Sequence, residues 1–261
     1  MGIDAEKEVK RLVEHTRNWF DLLGPNWKPK AVLGISGGKD STVTAAILAR
    51  ALGKERVIGV LMPCGEQKDI DDSRRVVSAL GIQSVDFNIG KSFEAMCEAL
   101  GRGVATQDAK VNLQPRLRMC ALYMVAQSCK EGGIVINTCN LSEDYVGYAT
   151  KFGDCAGDVS ILGNYLVSEV VAMGDAMPEI PNDLVYKAPS DGLWDMTDED
   201  KMGFTYAELE QYMKYRDTGS ERINEAISRM HEGSRHKYHH MPVLGRTFQQ
   251  RGWWPDSVII D

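Results

Sequence analysis

Apolar residues recur along the chain in two rhythms, and the alternation between them predicts the architecture. Val9, Leu12, Val13, Trp19 and Phe20 return near helical spacing, so residues 1–22 read as an amphipathic N-terminal helix. After the turn-like Gly24-Pro25-Asn26 come three short runs rich in Val and Ile, at 31–35, 57–61 and 84–89, each with the length and β-branched content of a strand. Helical patterns fill the intervals at 41–52 and 70–80, each closed by a glycine, Gly53 or Gly81, suited to a C-terminal cap. A further helix is expected over 115–130, because Pro115 suits a first helical position, with a fourth strand at 134–136. Strands alternating with helices require crossover connections, so the fold class is α/β, a parallel sheet with helices on both faces. From 151 to 203 the pattern is broken by Gly153, Gly157, Gly163, Pro178, Pro181 and Pro189, and long loops of this kind usually carry function. Helical spacing resumes at 206–213 and 223–230, within a C-terminal helical tail at 205–261. One domain over 1–261 is expected.

Composition narrows the class of ligand. A chain of 261 residues with 43% hydrophobic content can bury one substantial core. Its formal charge of −7 opposes nonspecific nucleic-acid binding, so an anionic ligand must be gripped by a local pocket, not by the field of the whole molecule. The six cysteines form no C-x-x-C, which argues against a zinc ribbon or redox pair and fits a reducing, cytoplasmic setting. No stretch is apolar enough to span a membrane, and Glu6 stands where a myristoylation signal needs Ser or Thr.

The chemistry concentrates in Gly34-Ile35-Ser36-Gly37-Gly38-Lys39-Asp40-Ser41, between the first expected strand and its helix. Unpaired backbone N–H groups and the helix dipole favour a phosphate there. Gly37 and Gly38 permit close approach, Ser36 and Ser41 add hydroxyl donors, and Asp40 offers the hard oxygen that magnesium prefers. A Walker loop is excluded, since Asp40 follows Lys39 and Leu33 occupies the place of its first glycine; G-x-G-x-x-G is absent as well.

The S-G-G-K-D-S stretch resembles the pyrophosphate loop of the Rossmann-like ATP pyrophosphatase superfamily, which includes NAD synthetases, GMP synthetases and several tRNA-modifying enzymes. The resemblance implies cleavage of ATP between its α and β phosphates, with the loop holding pyrophosphate. Asn112-Leu-Gln-Pro-Arg116-Leu-Arg118 with Tyr123 resembles a segment of the NAD synthetases whose arginine and tyrosine contact deamido-NAD. Thr138-Cys-Asn-Leu-Ser-Glu143 is similar to the segment whose Thr touches ATP and whose Glu binds magnesium. Lys151-Phe-Gly-Asp154-Cys-Ala-Gly-Asp158 resembles K-x-G-D-x-x-x-D, whose lysine and final aspartate hold deamido-NAD. Ser190, in the K-A-P-S run from Lys187, stands where a Thr or Ser meets metal and phosphate, and His236-Lys237 matches a pair assigned to the dinucleotide. These segments appear in family order between residues 31 and 241. One departure is Val167, where many members carry a lysine on ATP, so the triphosphate is either held by Lys39, itself often Gln in the family, or bound more weakly.

By that resemblance the nicotinate carboxylate of deamido-NAD attacks the α-phosphorus of ATP, with Mg2+ on Asp40 and Glu143, and ammonia then displaces AMP to give NAD. Lys39 and Asp40 are the expected catalytic groups, together with Asp154 as the base for ammonium. A glutaminase domain needs ~100–200 residues, for which the matched segments leave no room, so free ammonia is the expected nitrogen donor. A homodimer with deamido-NAD across the interface is also implied, with Trp19, Phe20, Met119 and Leu122 as apolar candidates for the contact. Two competing readings are another adenylating enzyme, tRNA-modifying or GMP synthetase-like, and a nucleotide-binding protein with weakened catalysis. A zinc site among His231, His236, His239 and His240 lacks a completing ligand at any recognisable spacing.

Overall fold

The computed structural model describes residues 3–66, 70–101, 103–187 and 197–239. Helix α1 (Ala5–Leu22) is started by the Asp4 side chain, which accepts from the Lys7 N–H. Then come β1 (Lys30–Gly34), α2 (Lys39–Leu52), β2 (Val57–Leu61), α3 (Ile70–Leu80) and β3 (Gln83–Asp86). Helices α4 (Gly90–Leu100) and α5 (Gln107–Ser128) lead to β4 (Gly133–Asn137), α6 (Leu141–Val146) and the short β5 (Val159–Ser160). Helices α7 (Val167–Asp175), α8 (Asn182–Val185), α9 (Asp198–Met202), α10 (Tyr206–Tyr215) and α11 (Glu221–Ser234) follow, and a 3-10 turn at Arg235–Lys237 ends the described chain's regular structure.

The strands lie in the order β3-β2-β1-β4-β5, and every described pairing is parallel. Alternate residues of β1 and β2 feed two cores, as the period of a strand requires. Ala31 and Leu33 join α1, α2 and α7 on one face, while Val32, Ile58 and Val60 meet Met119, Leu122 and Ala126 of α5 on the other. The sheet is therefore covered on both sides, which explains why its central strands read as unbroken apolar runs. A third cluster, around Val146, Phe204, Leu209 and Ile227, joins α6 to α9, α10 and α11 without touching the sheet.

Three expectations need correction. Helix α5 starts at Gln107, not at Pro115, because Thr106 caps it by accepting from the Ala109 N–H; Pro115 lies inside the helix. Its ring faces Gly153, where an added Cβ would come within 2.8 Å of the Pro115 Cβ, so the interior proline packs a loop against the helix. The third strand stops at Asp86, and Ile89 instead enters the core beneath α4. Phe20 and Leu122 are buried within the protomer, and Trp19 packs against its core, so none of these three is a free apolar contact surface.

Candidate active site

The strand order turns back between β1 and β4, and the crevice at the carboxyl ends of those strands is where open α/β sheets bind ligands. A cleft of about 680 Å³ opens there, with Gly34, Ser36 and residues 38–41 on one wall and Thr138, Glu143 and Asp154 on another. The pyrophosphate-type loop is shaped by its own residues. Gly37 has a φ of +79°, and a Cβ there would meet the Asp72 Cβ at 2.6 Å, so α3 packs directly on the loop. The Ser36 and Ser41 hydroxyls lie 3.1 Å apart, Gly38 N–H donates to Ser36 Oγ, and Thr42 Oγ1 donates to the Gly38 carbonyl. Gly38 caps α2 without a side chain, leaving first-turn N–H groups for an anion.

Asp40 and Glu143 approach from opposite sides of the crevice. Asp40 Oδ2 accepts from Lys39 Nζ at 2.9 Å, and Oδ1 accepts from Asn140 Nδ2 at 3.0 Å. Asn140 in turn caps α6 through the Glu143 N–H and so ties the position of Glu143 to that of Asp40. Burial and the neighbouring Asp40 carboxylate hold Glu143 well above the usual carboxylate range, against the pull of Lys39. Lys39 is 5% exposed. Burial by itself lowers an ammonium's pKa, but Asp40 and Glu143 outweigh it and raise Lys39 above the ordinary lysine value. Asp198 and Tyr206 close the same space. Asp198 is buried and accepts from the Tyr148 hydroxyl at 3.1 Å, while the Lys39 ammonium lies 5.7 Å from the Tyr206 ring centroid.

The hard oxygens of Asp40 and Glu143 fit a small divalent cation that shares its coordination with substrate phosphates. The Tyr206 hydroxyl, buried without a hydrogen-bond partner beside these carboxylates, supplies an orphaned polar atom of the kind a bound ion and its waters satisfy.

The expected dinucleotide contacts are arranged differently. Arg116 is exposed on α5 and donates to the Lys151 carbonyl at 3.1 Å; Lys151 Nζ donates to the His236 carbonyl at 2.8 Å. Asp158 accepts from the Val135 N–H at 2.7 Å and from the Tyr123 hydroxyl at 3.1 Å, and desolvation with this carboxylate pushes Tyr123 up to about 12. Asp154 opens onto the cleft yet is crowded by protein, which raises its carboxyl; it accepts from the Thr150 N–H at 2.7 Å. Lys237 Nζ donates to the carbonyls of Gly147 and Ala149, so the tail is pinned to the same loop. The structure thus gathers Thr138, Asp154 and Lys237 around the cleft with the phosphate loop, and leaves Arg116, Tyr123, Lys151, Asp158 and His236 on its outer shoulder. Ser190 and His240 lie outside the described residues. His231 stacks on Tyr145 with ring centroids 4.0 Å apart, and His236 Nδ1 faces the Gly233 carbonyl; among the described residues no group of His, Cys, Asp and Glu is arranged to hold a metal by itself. All six cysteines are free thiols.

The NAD synthase family profile matches residues 21–242. The chain belongs to the NAD synthase family. An NH(3)-dependent NAD(+) synthetase of Archaeoglobus fulgidus is 36% identical over 252 residues, covering 94% of this chain and 98% of that protein. The corresponding protein of Methanocaldococcus jannaschii is 37% identical over 225 residues, or 84% of each chain. Among solved structures, an NMN synthetase from Francisella tularensis superposes with a TM-score of 0.81 at 33% identity, covering 91% of this chain and 99% of that one. An NH3-dependent NAD synthetase from Campylobacter jejuni, at 23% identity and a TM-score of 0.76, shares the fold. Within the family fold, the Val167 departure falls at the first turn of α7, where the side chain packs against the third apolar cluster and not into the phosphate loop.

Proposed function

We propose that this chain catalyses the ATP-dependent amidation of deamido-NAD by ammonia, through an adenylated carboxylate, releasing NAD, AMP and pyrophosphate. The observation that carries the reading is the phosphate loop facing Glu143 across the switch-point crevice, in a chain of the NAD synthase family. ATP lies with its phosphates on the first turn of α2, touching Ser36, Gly38 and Ser41, with Thr138 on the facing wall. Asp40 and Glu143 would hold Mg2+, which when bound would supply positive charge beside the departing pyrophosphate. The chain's own contribution is mainly positioning: both reacting partners are anions, and Lys39 and the loop N–H groups lower the cost of bringing them together. Asp154, with its raised carboxyl inside the cleft, suits a group that receives a proton from ammonium before attack.

Arg116, Tyr123, Lys151, Asp158, His236 and Lys237 are assigned to the dinucleotide. Beside them, a shallow hollow of about 700 Å³ on the outer side of α5 includes Tyr123, Met124 and Phe152. Phe152 is 71% exposed and Met124 62% exposed, apolar surface that a second copy of the chain would cover. This supports a homodimer with deamido-NAD at the contact, and favours that hollow over α1 as its interface. Sedimentation checks it: a fully active monomer at assay concentration would sink the assignment. No described helix is long and apolar enough to cross a membrane, which together with the free thiols supports a cytoplasmic enzyme.

The decisive assay supplies ATP, Mg2+, ammonium and deamido-NAD and follows NAD, AMP and pyrophosphate; equal amounts of the three are expected. AMP without NAD would instead favour another adenylating activity. Glutamine in ammonia-free buffer should give no NAD, and the apparent affinity for total ammonium should improve as pH rises from neutral, because only the free base carries the attacking lone pair. The Francisella relative, named for NMN, supports one second reading, in which the mononucleotide is the preferred acceptor. Comparing kcat/KM for deamido-NMN and deamido-NAD decides it.

A further inference from the structure

Lys39 occupies an unusual place for a phosphate-binding lysine. Its ammonium is buried, bonded to Asp40 at 2.9 Å, and set among carboxylates of two other elements, Glu143 at α6 and Asp198 at α9. The Tyr206 ring closes the remaining side, 5.7 Å from Nζ to its centroid. Tyr206 is itself 5% exposed, and its buried hydroxyl has no hydrogen-bond partner although it faces the same carboxylates. Tyr148 fixes the Asp198 carboxylate by donating to it at 3.1 Å. The side chains therefore form a cage for one cation, and the Lys39 ammonium lies within it.

We propose that the Lys39 ammonium is the resident counter-ion of this cage, that it competes with divalent metal for Asp40 and Glu143, and that metal is admitted when the phosphates of ATP draw Lys39 off Asp40. Carboxylates crowded together in a partly buried space repel one another, and an ammonium or a metal among them offsets that cost. An ammonium and a divalent ion cannot both sit against one carboxylate oxygen pair without strong repulsion in so buried a space. ATP offers the ammonium a new set of anionic oxygens on the adjacent helix turn, and the vacated carboxylate oxygens are then free for the metal that ATP carries. Asp198 lies beyond the metal ligands and holds Lys39 close to its working position, which makes it a positioning residue. This inference rests on the assignment of Asp40 and Glu143 to the metal.

The test reads metal binding, not turnover. Mn2+ binding is measured by the loss of the free-ion spin-resonance signal in nucleotide-free protein, for the wild type and for Lys39→Met. The wild type should bind Mn2+ at the site only after a non-hydrolysable ATP analogue is added, whereas Lys39→Met should bind nucleotide-free Mn2+ about tenfold or more tightly than the wild type. Asp198→Asn in the otherwise wild-type protein, where Lys39 is present to be positioned, should shift Mn2+ affinity in the same direction as Lys39→Met and by less. If Lys39→Met does not fold in chelator, its melting temperature is compared with and without Mn2+; a metal-dependent rise absent from the wild type is the expected result. Equal Mn2+ affinity of the two proteins, or no metal-dependent rise in the variant, overturns the proposal. So does micromolar Mn2+ binding by the nucleotide-free wild type, a result that needs no variant. NAD formation by the wild type is measured separately, so failure here stays distinct from failure of the proposed reaction.

Discussion

The two ends of the candidate site are built on different principles. At the phosphate end, Lys39 and Ser41 are buried, the loop is held by hydrogen bonds among its own residues, and Asp40 is coupled to Glu143 through Asn140. At the end proposed for the dinucleotide, Arg116 is exposed, and it, Lys151 and Lys237 spend donors on the backbone carbonyls of residues 151, 236, 147 and 149. A half-buried carboxylate pair, held by Lys39 and Asn140, suits charge neutralisation at a reacting phosphorus. An exposed arginine on a helix shoulder has to find its ligand at the surface, where a partner subunit can complete the contact.

The strongest way to break this comparison is Asp40→Asn. If the carboxylate neutralises pyrophosphate, NAD formation should fall by about a thousandfold or more with the circular-dichroism spectrum unchanged; near-normal turnover by folded protein would remove the phosphate end from the mechanism. Arg116→Ala should act on the other end alone, raising KM for deamido-NAD by roughly ten- to a hundredfold while KM for ATP holds still. Were both constants to rise together, the separation of the two ends would be wrong.

Asp158→Ala probes whether the dinucleotide end also supports the fold. Its carboxylate satisfies the Val135 N–H and the Tyr123 hydroxyl, so its loss should cost about 1–3 kcal/mol by denaturant titration. Tyr123→Phe, which removes only the outer of those bonds, should cost less.

A smaller effect is expected at Asp144 on α6, between the two ends, where burial and nearby Asp154 push the carboxyl up to about 6 in spite of Tyr238. A carboxyl raised in the folded state contributes stability below its unfolded pKa, and that contribution is lost as pH rises through about 6. Asp144→Asn should therefore raise stability by about 1 kcal/mol at pH 7–8, allowing for partial exposure, and give no gain near pH 4. Melting curves at the two pH values measure it; an equal gain at both would point to packing, not charge.

Local patterns carried most of the fold. The strands β1, β2 and β4 and the helices α2 and α3 were legible because each is one apolar run or one helical stripe closed by its own glycine. The start of α5 is hidden in the sequence because the cap at Thr106 is a single side chain preceding a polar first turn, whereas Pro115 is the louder local signal. The two-residue β5 carries too little periodicity to be seen without its partner β4.

For the site, the sequence alone determined the loop from Gly34 to Ser41, since strand, glycines, acid and helix follow one another along the backbone and their geometry is local. Through resemblance it also offered Glu143, Arg116 and Asp158 as candidates for the site. Only the tertiary structure decided what surrounds Lys39. Asn140, Asp198 and Tyr206 reach Asp40 and Lys39 from α6, α9 and α10, and no periodicity records a contact made by folding distant segments onto one crevice. A lysine beside an aspartate in sequence reads as a ligand for phosphate; that its ammonium is buried in a cage of carboxylates follows from packing, because the cost of burying charge is set by every element that closes around it.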